Sequence, residues 1–123
     1  MRLGNRKPGL RLRIVLAPGI AIGPGKADLL DGISETGSIA AAGRRMGMSY
    51  KRAWLLVETL NSCFSDVLVE TSRGGSEKGG AVLTAAGREV LDLYRRMEHA
   101  AAQAAGDELD RLRELCADMS DGK

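Results

Sequence analysis

Aromatic rings are scarce in this chain. Its 123 residues hold one tryptophan, two tyrosines and one phenylalanine, 3% of the total. The core must therefore rest on Leu, Ile, Val, Met and Ala. A stacking platform for single-stranded nucleic acid, which needs several exposed rings, is excluded. Cysteine is nearly absent as well. Cys63 and Cys116 lie far apart and in no ligand motif, so neither a disulfide framework nor a zinc site is expected. Both read as buried or idle thiols in a reducing cytosol, with a cytoplasmic location to match. Histidine occurs once, at His99, and reads as a surface or seam residue rather than a base. No Ser/His/Asp, Cys/His or metal-ligand constellation assembles, so no catalytic residue, metal or cofactor is expected and the chain does not read as an enzyme. Long apolar runs are missing too. The stretch Ile14–Ile22 after an Arg-rich start mimics a signal peptide, but Pro18 and Gly19 interrupt it, and no segment is long enough to cross a membrane.

What is present is ordinary in amount and uneven in distribution. Apolar residues make up 44% and charged residues 28%, as in a soluble domain with one modest core. Residues 1–80 carry 12 Lys+Arg against 7 Asp+Glu, a balance of +5, whereas residues 81–123 carry 6 against 9, a balance of −3. The basic part contains the elements that would sit near DNA, and the acidic part is a helical tail.

Residues 1–9 read as a flexible basic arm. Leu10, Leu12, Ile14 and Leu16 then alternate with Arg11, Arg13 and Val15, which predicts a half-buried strand over about 10–17. Pro24 suits the first turn of a first helix that points Ala27, Leu29, Leu30 and Ile33 inward, weakened by Gly32 and stopped by Gly37. Ser38 caps a second helix packing Ile39, Ala42 and Met46. Gly47 makes a turn, and Ser49 caps a third helix whose inward set reads Ala53, Trp54, Val57 and Leu60, with Leu56 on its flank. Val67–Ser72 and Ala81–Thr84 read as the strands of a hairpin with the glycine-rich tip Arg73–Gly80. Thr84 caps a long helix over about 85–115, which Gly106 kinks or ends early. Its apolar series Val90, Tyr94, Met97, Ala101, Ala104, then Ala105, Leu109, Leu112 and Cys116, resembles a coiled-coil seam with one stutter. Such a stripe is too long for so small a domain to bury, so a second copy is the expected cover. Tyr94 reads as core or seam.

The second and third helices carry the chemistry. Gly43 stands four residues before Gly47 and Ala53 six after it, small residues where two helices must cross, as in a helix-turn-helix. The third helix opens with Ser49, Tyr50, Lys51 and Arg52, hydroxyl and cationic groups at a helix N-terminus, where phosphate is attracted and a recognition helix meets base edges. Lys51 or Arg52 could read guanine in the major groove. Arg73 and Lys78 on the hairpin tip suit phosphate or minor-groove contact, and the tip lacks the Gly-x4-Gly-Lys-Ser/Thr pattern of a P-loop. The fold expected is mainly α with a small β wing: an N-terminal strand, a winged helix-turn-helix over 10–84, a long dimerisation helix over 85–117 and a frayed tail at 118–123.

Gly37-Ser38-Ile39, Gly47-Met-Ser-Tyr-Lys51 with Ala53-Trp54, the segment Gly79–Thr84, and the Leu-Thr-x-x-Gly element at Leu83, Thr84 and Gly87 resemble the N-terminal domain of ModE-type molybdate-responsive regulators. LysR-type DNA-binding domains are a looser match. The resemblance runs from about residue 25 to residue 97. It implies a homodimer on a palindromic operator in double-stranded DNA. DNA contacts would come from Ser38, Ser49, Tyr50, Lys51, Arg52, Arg73 and Lys78, and the dimer interface from Leu12, Ile14, Val90, Tyr94, Met97, Ala101, Ala104, Leu109 and Leu112. The family's oxyanion-binding domains have no counterpart in a chain that stops at Lys123, so molybdate is not expected as its partner. Two other readings stay open: a winged-helix module that docks a protein and never touches DNA, and a small-ligand sensor with a cleft near the N-terminal strand.

Overall fold

The computed structural model describes residues 8–72 and 80–116. Two short strands come first, β1 (Ile14–Ala17) and β2 (Ile20–Ile22). Three helices follow: α1 (Pro24–Thr36), α2 (Ile39–Arg45) and α3 (Tyr50–Cys63). Strands β3 (Val69–Ser72) and β4 (Gly80–Leu83) form a second hairpin, and α4 (Ala85–Ala104) and α5 (Gly106–Leu115) end the described chain. The order helix, helix-turn-helix, two-stranded wing, long helix is that of a winged helix-turn-helix.

Local chemistry sets most of the boundaries. Pro24 stands in the first turn of α1, and Gly37 stops that helix in the left-handed region at φ 72°. Ser38 Oγ accepts from Ala41 N at 3.0 Å, Ser49 Oγ from Arg52 N at 3.1 Å and Thr84 Oγ1 from Gly87 N at 3.0 Å. These are three side-chain caps on α2, α3 and α4, each satisfying an N–H that the helix leaves open. The core gathers Ala27, Leu29, Leu30 and Ile33 of α1 with Ile39 and Ala42 of α2, Ala53, Val57 and Leu60 of α3, and Leu91 and Tyr94 of α4.

The expected strand over 10–17 is a hairpin instead. Ile14 pairs with Ile22 and Val15 with Ala21, but Ala17 pairs with Ile20. That register shift interrupts the alternation, so Leu16 turns outward rather than in with Leu10, Leu12 and Ile14. Pro18 and Gly19, the latter at φ +79°, make the turn, in the positions a type II turn assigns to proline and glycine. The long helix expected over 85–115 is divided at Ala105, one residue before Gly106.

Trp54 does not enter the core and is 38% exposed. The buried row of α3 is Ala53, Val57 and Leu60, and Trp54 lies a further ~100° around the helix from Ala53. The crossing it was expected to fill is closed by small residues. A Cβ on Gly43 would stand 2.9 Å from Ala53 Cβ, which leaves no room there for an indole. Gly32 has a similar reason to be glycine, since its Cβ would stand 2.8 Å from Ala42 Cβ where α1 and α2 meet.

Tyr94 is 1% exposed within a single chain and so belongs to the core rather than to a seam between copies. Its hydroxyl donates to Leu12 O at 2.7 Å, tying α4 to the segment before β1. Burial, with Glu98 nearby, pushes its pKa up to about 12. Beside it, Arg95 joins α4 to α1: its guanidinium donates to Asp28 at 2.8 Å and, through Nε, to Asp31 at 3.1 Å, and it pairs with Glu98 at 2.9 Å.

Candidate nucleic-acid interface

The turn between α2 and α3 is built around Gly43, whose carbonyl accepts from both Met46 N and Met48 N at 3.0 Å. Gly47 follows at φ 71°, a conformation other residues rarely adopt. Its N–H donates to Arg44 O at 3.0 Å. This turn delivers Ser49, Tyr50, Lys51 and Arg52 together at the N-terminal end of α3, all exposed. No acidic residue stands in that first turn, so the positive end of the helix dipole and the two cations reinforce one another. Lys51 and Arg52 make no ion pair among the described residues. Ser49 is first of all a cap: its Oγ lone pair is taken by Arg52 N, and its hydroxyl hydrogen is left to donate. Ser38 caps α2 in the same way and is half-buried.

Further along α3, Lys51, Arg52, Leu55, Leu56 and Thr59 line, with Ser49, a shallow concavity of about 240 Å³. Leu55, one of these, is 50% exposed. Thr59 donates its hydroxyl to Leu55 O at 3.0 Å, so its methyl is the free end. On the last turn of α2, Arg45 is tied to Glu35 at 2.6 Å, while Arg44 is exposed and makes no ion pair among the described residues. Leu55 and Arg44 were missed in the sequence. The adjacent pair Arg44-Arg45 was a signal for the second, and the inward set Ala53, Val57 and Leu60 placed Leu55 on the opposite face without giving it a role.

The wing is fixed to this unit at its base. Ala81 N donates to Gly37 O and Thr84 N to Leu68 O, both at 2.9 Å. Asn61, near the end of α3, accepts from Leu68 N and Val69 N at 2.8 and 3.0 Å and donates to Val69 O at 3.0 Å. One amide thus satisfies three backbone groups where the chain enters β3. Asn61→Ala should cost about 1–3 kcal/mol, because it strands those groups in a half-buried place. The check is urea unfolding together with hydrogen exchange, in which the Leu68 and Val69 amides lose protection first. Arg73 and Lys78, expected on the wing tip, lie outside the described residues.

The residues assigned to a seam separate into two groups. Val90 packs against the core and Tyr94 is inside it. The exposed apolar row of α4 is instead Leu93, Met97, Ala100 and Ala104, spaced four, three and four. Ala101 and Leu109 are half-buried, and Leu112 is exposed on α5. Leu12 and Ile14 are half-buried at the N-terminal hairpin. Among the described residues no helix is long and apolar enough to cross a membrane, and no group of three His, Cys, Asp or Glu is placed to hold a metal.

Comparison with known proteins agrees with this architecture. No protein-family model matches the sequence. The molybdenum-pterin-binding protein MopB of Rhodobacter capsulatus is 40% identical over 85 residues, which are 69% of this chain and 32% of that protein. The molybdenum transport protein ModE of Azotobacter vinelandii is 35% identical over 104 residues, 85% of this chain and 37% of that one. The chain thus spans about a third of the length of these curated relatives. Among solved structures, the CbnR DNA-binding domain in complex with DNA superposes with a TM-score of 0.53 at 29% identity, covering 73% of this chain and 93% of that one. The sequence resemblance and the fold converge: the chain's winged helix-turn-helix is similar in sequence to part of the ModE regulators and in fold to the LysR-type CbnR DNA-binding domain.

Proposed function

We propose that this protein is a sequence-specific DNA-binding transcriptional regulator that acts as a homodimer on a palindromic operator. The observation that carries the reading is the outward face of α3, where Lys51 and Arg52 stand exposed and, among the described residues, make no ion pair, beside a helix N-terminus free of acidic residues. α3 enters the major groove. Lys51 and Arg52 reach base edges, and Ser49 and Tyr50 donate to phosphate. Arg44, at the end of α2, meets the backbone that this first helix crosses. The wing lies along the adjacent backbone, with Arg73 and Lys78 as its cations. The exposed Tyr50, Trp54 and Leu55 are what a protein-docking module would use. Two cations interleaved with them favour DNA.

Leu93 and Met97, 44% and 42% exposed in the single chain, open the row that a second copy would cover, with Ala100 and Ala104 continuing it. Two recognition helices held by such a seam match a two-fold site, with half-sites one helical turn or a multiple of it apart. Binding-site selection from a random duplex library tests the reading: a palindromic consensus supports it, and failure to enrich any sequence refutes it. Leu93→Asp with Met97→Asp should convert dimer to monomer in sedimentation at micromolar protein and reduce affinity for the full site at least tenfold, leaving thermal stability of the monomer nearly unchanged. A variant that stays dimeric would move the interface elsewhere.

A further inference from the structure

Leu55 occupies a position that the electrostatic account of α3 does not use. It lies on the outward face, half exposed, one turn beyond Lys51 and Arg52. A single exposed leucine is unremarkable on a protein surface. This one lines a concavity together with Lys51 and Arg52, and Leu56 and Thr59, whose hydroxyl is turned to Leu55 O, line it as well. Phosphate offers nothing apolar to fill it. In the major groove the one apolar group displayed by an unmodified base pair is the 5-methyl of thymine.

Resting on the DNA-binding reading above, we infer that Leu55 is a specificity-determining residue that packs on the methyl group of a thymine in each half-site. The cations beside the concavity hold the helix against the groove while the leucine makes contact. The spacing sets where the thymine stands. Leu55 follows Lys51 by one helical turn, a rise of about 5.4–6 Å, and base pairs stack about 3.4 Å apart. The thymine should therefore lie within about two base pairs of the base that Lys51 or Arg52 contacts.

The test uses the full chain and its selected operator. Each thymine in a half-site is replaced in turn by deoxyuridine, which removes the methyl and leaves every hydrogen-bonding group in place. One position should lose about three- to fivefold in affinity, the worth of one buried methyl group. Leu55→Ala should bind the thymine and deoxyuridine sites equally, and Leu55→Met should keep the difference. As Leu55 is exposed, both variants should melt like the parent. The inference is overturned if the parent is indifferent to deoxyuridine at every thymine, or if Leu55→Ala keeps the penalty. Either result, with binding still dependent on Lys51 and Arg52, leaves the DNA-binding reading intact. A selection that enriches no site removes both.

Discussion

Replacing Lys51 and Arg52 together with alanine should lower operator affinity at least about 30-fold while leaving the fold unchanged. Each side chain is exposed and makes no ion pair among the described residues, so truncation opens no cavity and strands no partner. The cap on α3 also survives, because Ser49 Oγ accepts from the backbone N–H of residue 52, which alanine retains. The loss is therefore one of recognition. A base-contacting cation is worth about 1–3 kcal/mol, and two of them reach 2–6 kcal/mol if they act independently. The single variants separate their roles. One that reads a base should relax preference at one position of the site. One that meets phosphate should weaken all sequences alike and flatten the salt dependence by about one ion. Titrations of both single variants against a set of singly mutated operators would distinguish these roles. An unchanged affinity in the double variant would remove α3 from the interface.

Gly87→Ala should be the most destabilising conservative change in the described chain. Gly87 sits in the first turn of α4, and a Cβ there would overlap the carbonyl oxygen of Leu68 and press on its carbonyl carbon at 3.1 Å. The obstacle is backbone, which cannot rotate away. That same carbonyl accepts from Thr84 N at 2.9 Å and lies within 3.3 Å of Thr84 Oγ1, so moving it also disturbs the junction of wing and helix. A cost of about 2–3 kcal/mol is expected from overpacking, a fall of roughly 10–20 °C in Tm for a domain of this size. A change of less than 3 °C would show that α4 can shift off Leu68 freely. Gly106→Ala is the matched control: a Cβ there meets nothing within 4 Å, and Tm should hold or rise slightly.

These two predictions differ in how visible their basis was in the sequence. The caps at Ser38, Ser49 and Thr84 and the left-handed glycines at Gly37 and Gly47 were legible because each depends on residues at most a few positions away. Gly43 and Ala53 were legible because a helix-turn-helix needs small residues at that spacing. Thr84 and Gly87 could be recognised as a motif, but not explained by one. Their partners, Val67 O and Leu68 O, lie up to 19 residues earlier, and only the tertiary fold brings them together. Trp54 was misplaced for a related reason. Hydrophobicity says that an indole gains from burial, but the width of the groove that would receive it was set by Gly43 on another helix. The outward apolar row of α4 has a readable period and an unreadable phase. Val90 and Tyr94 fit the repeat as well as Leu93 does, and contacts with α1 and the Leu12 carbonyl decide which face the domain itself takes. Asn61 carried no signal at all, since a polar residue near a helix end is usually solvated.

On the proposed reading, α3 delivers sequence-selective binding to double-stranded DNA. The most direct measurement is fluorescence anisotropy of a labelled, library-selected duplex titrated with the full chain, beside a scrambled duplex of the same length, at two salt concentrations. Binding to the selected duplex should occur at one dimer per site, at least about 1,000-fold tighter than to the scrambled one, and weaken steeply as salt rises. Weak binding, equal for both duplexes and abolished by moderate salt, would leave only generic attraction between a basic surface and a polyanion, and would contradict it.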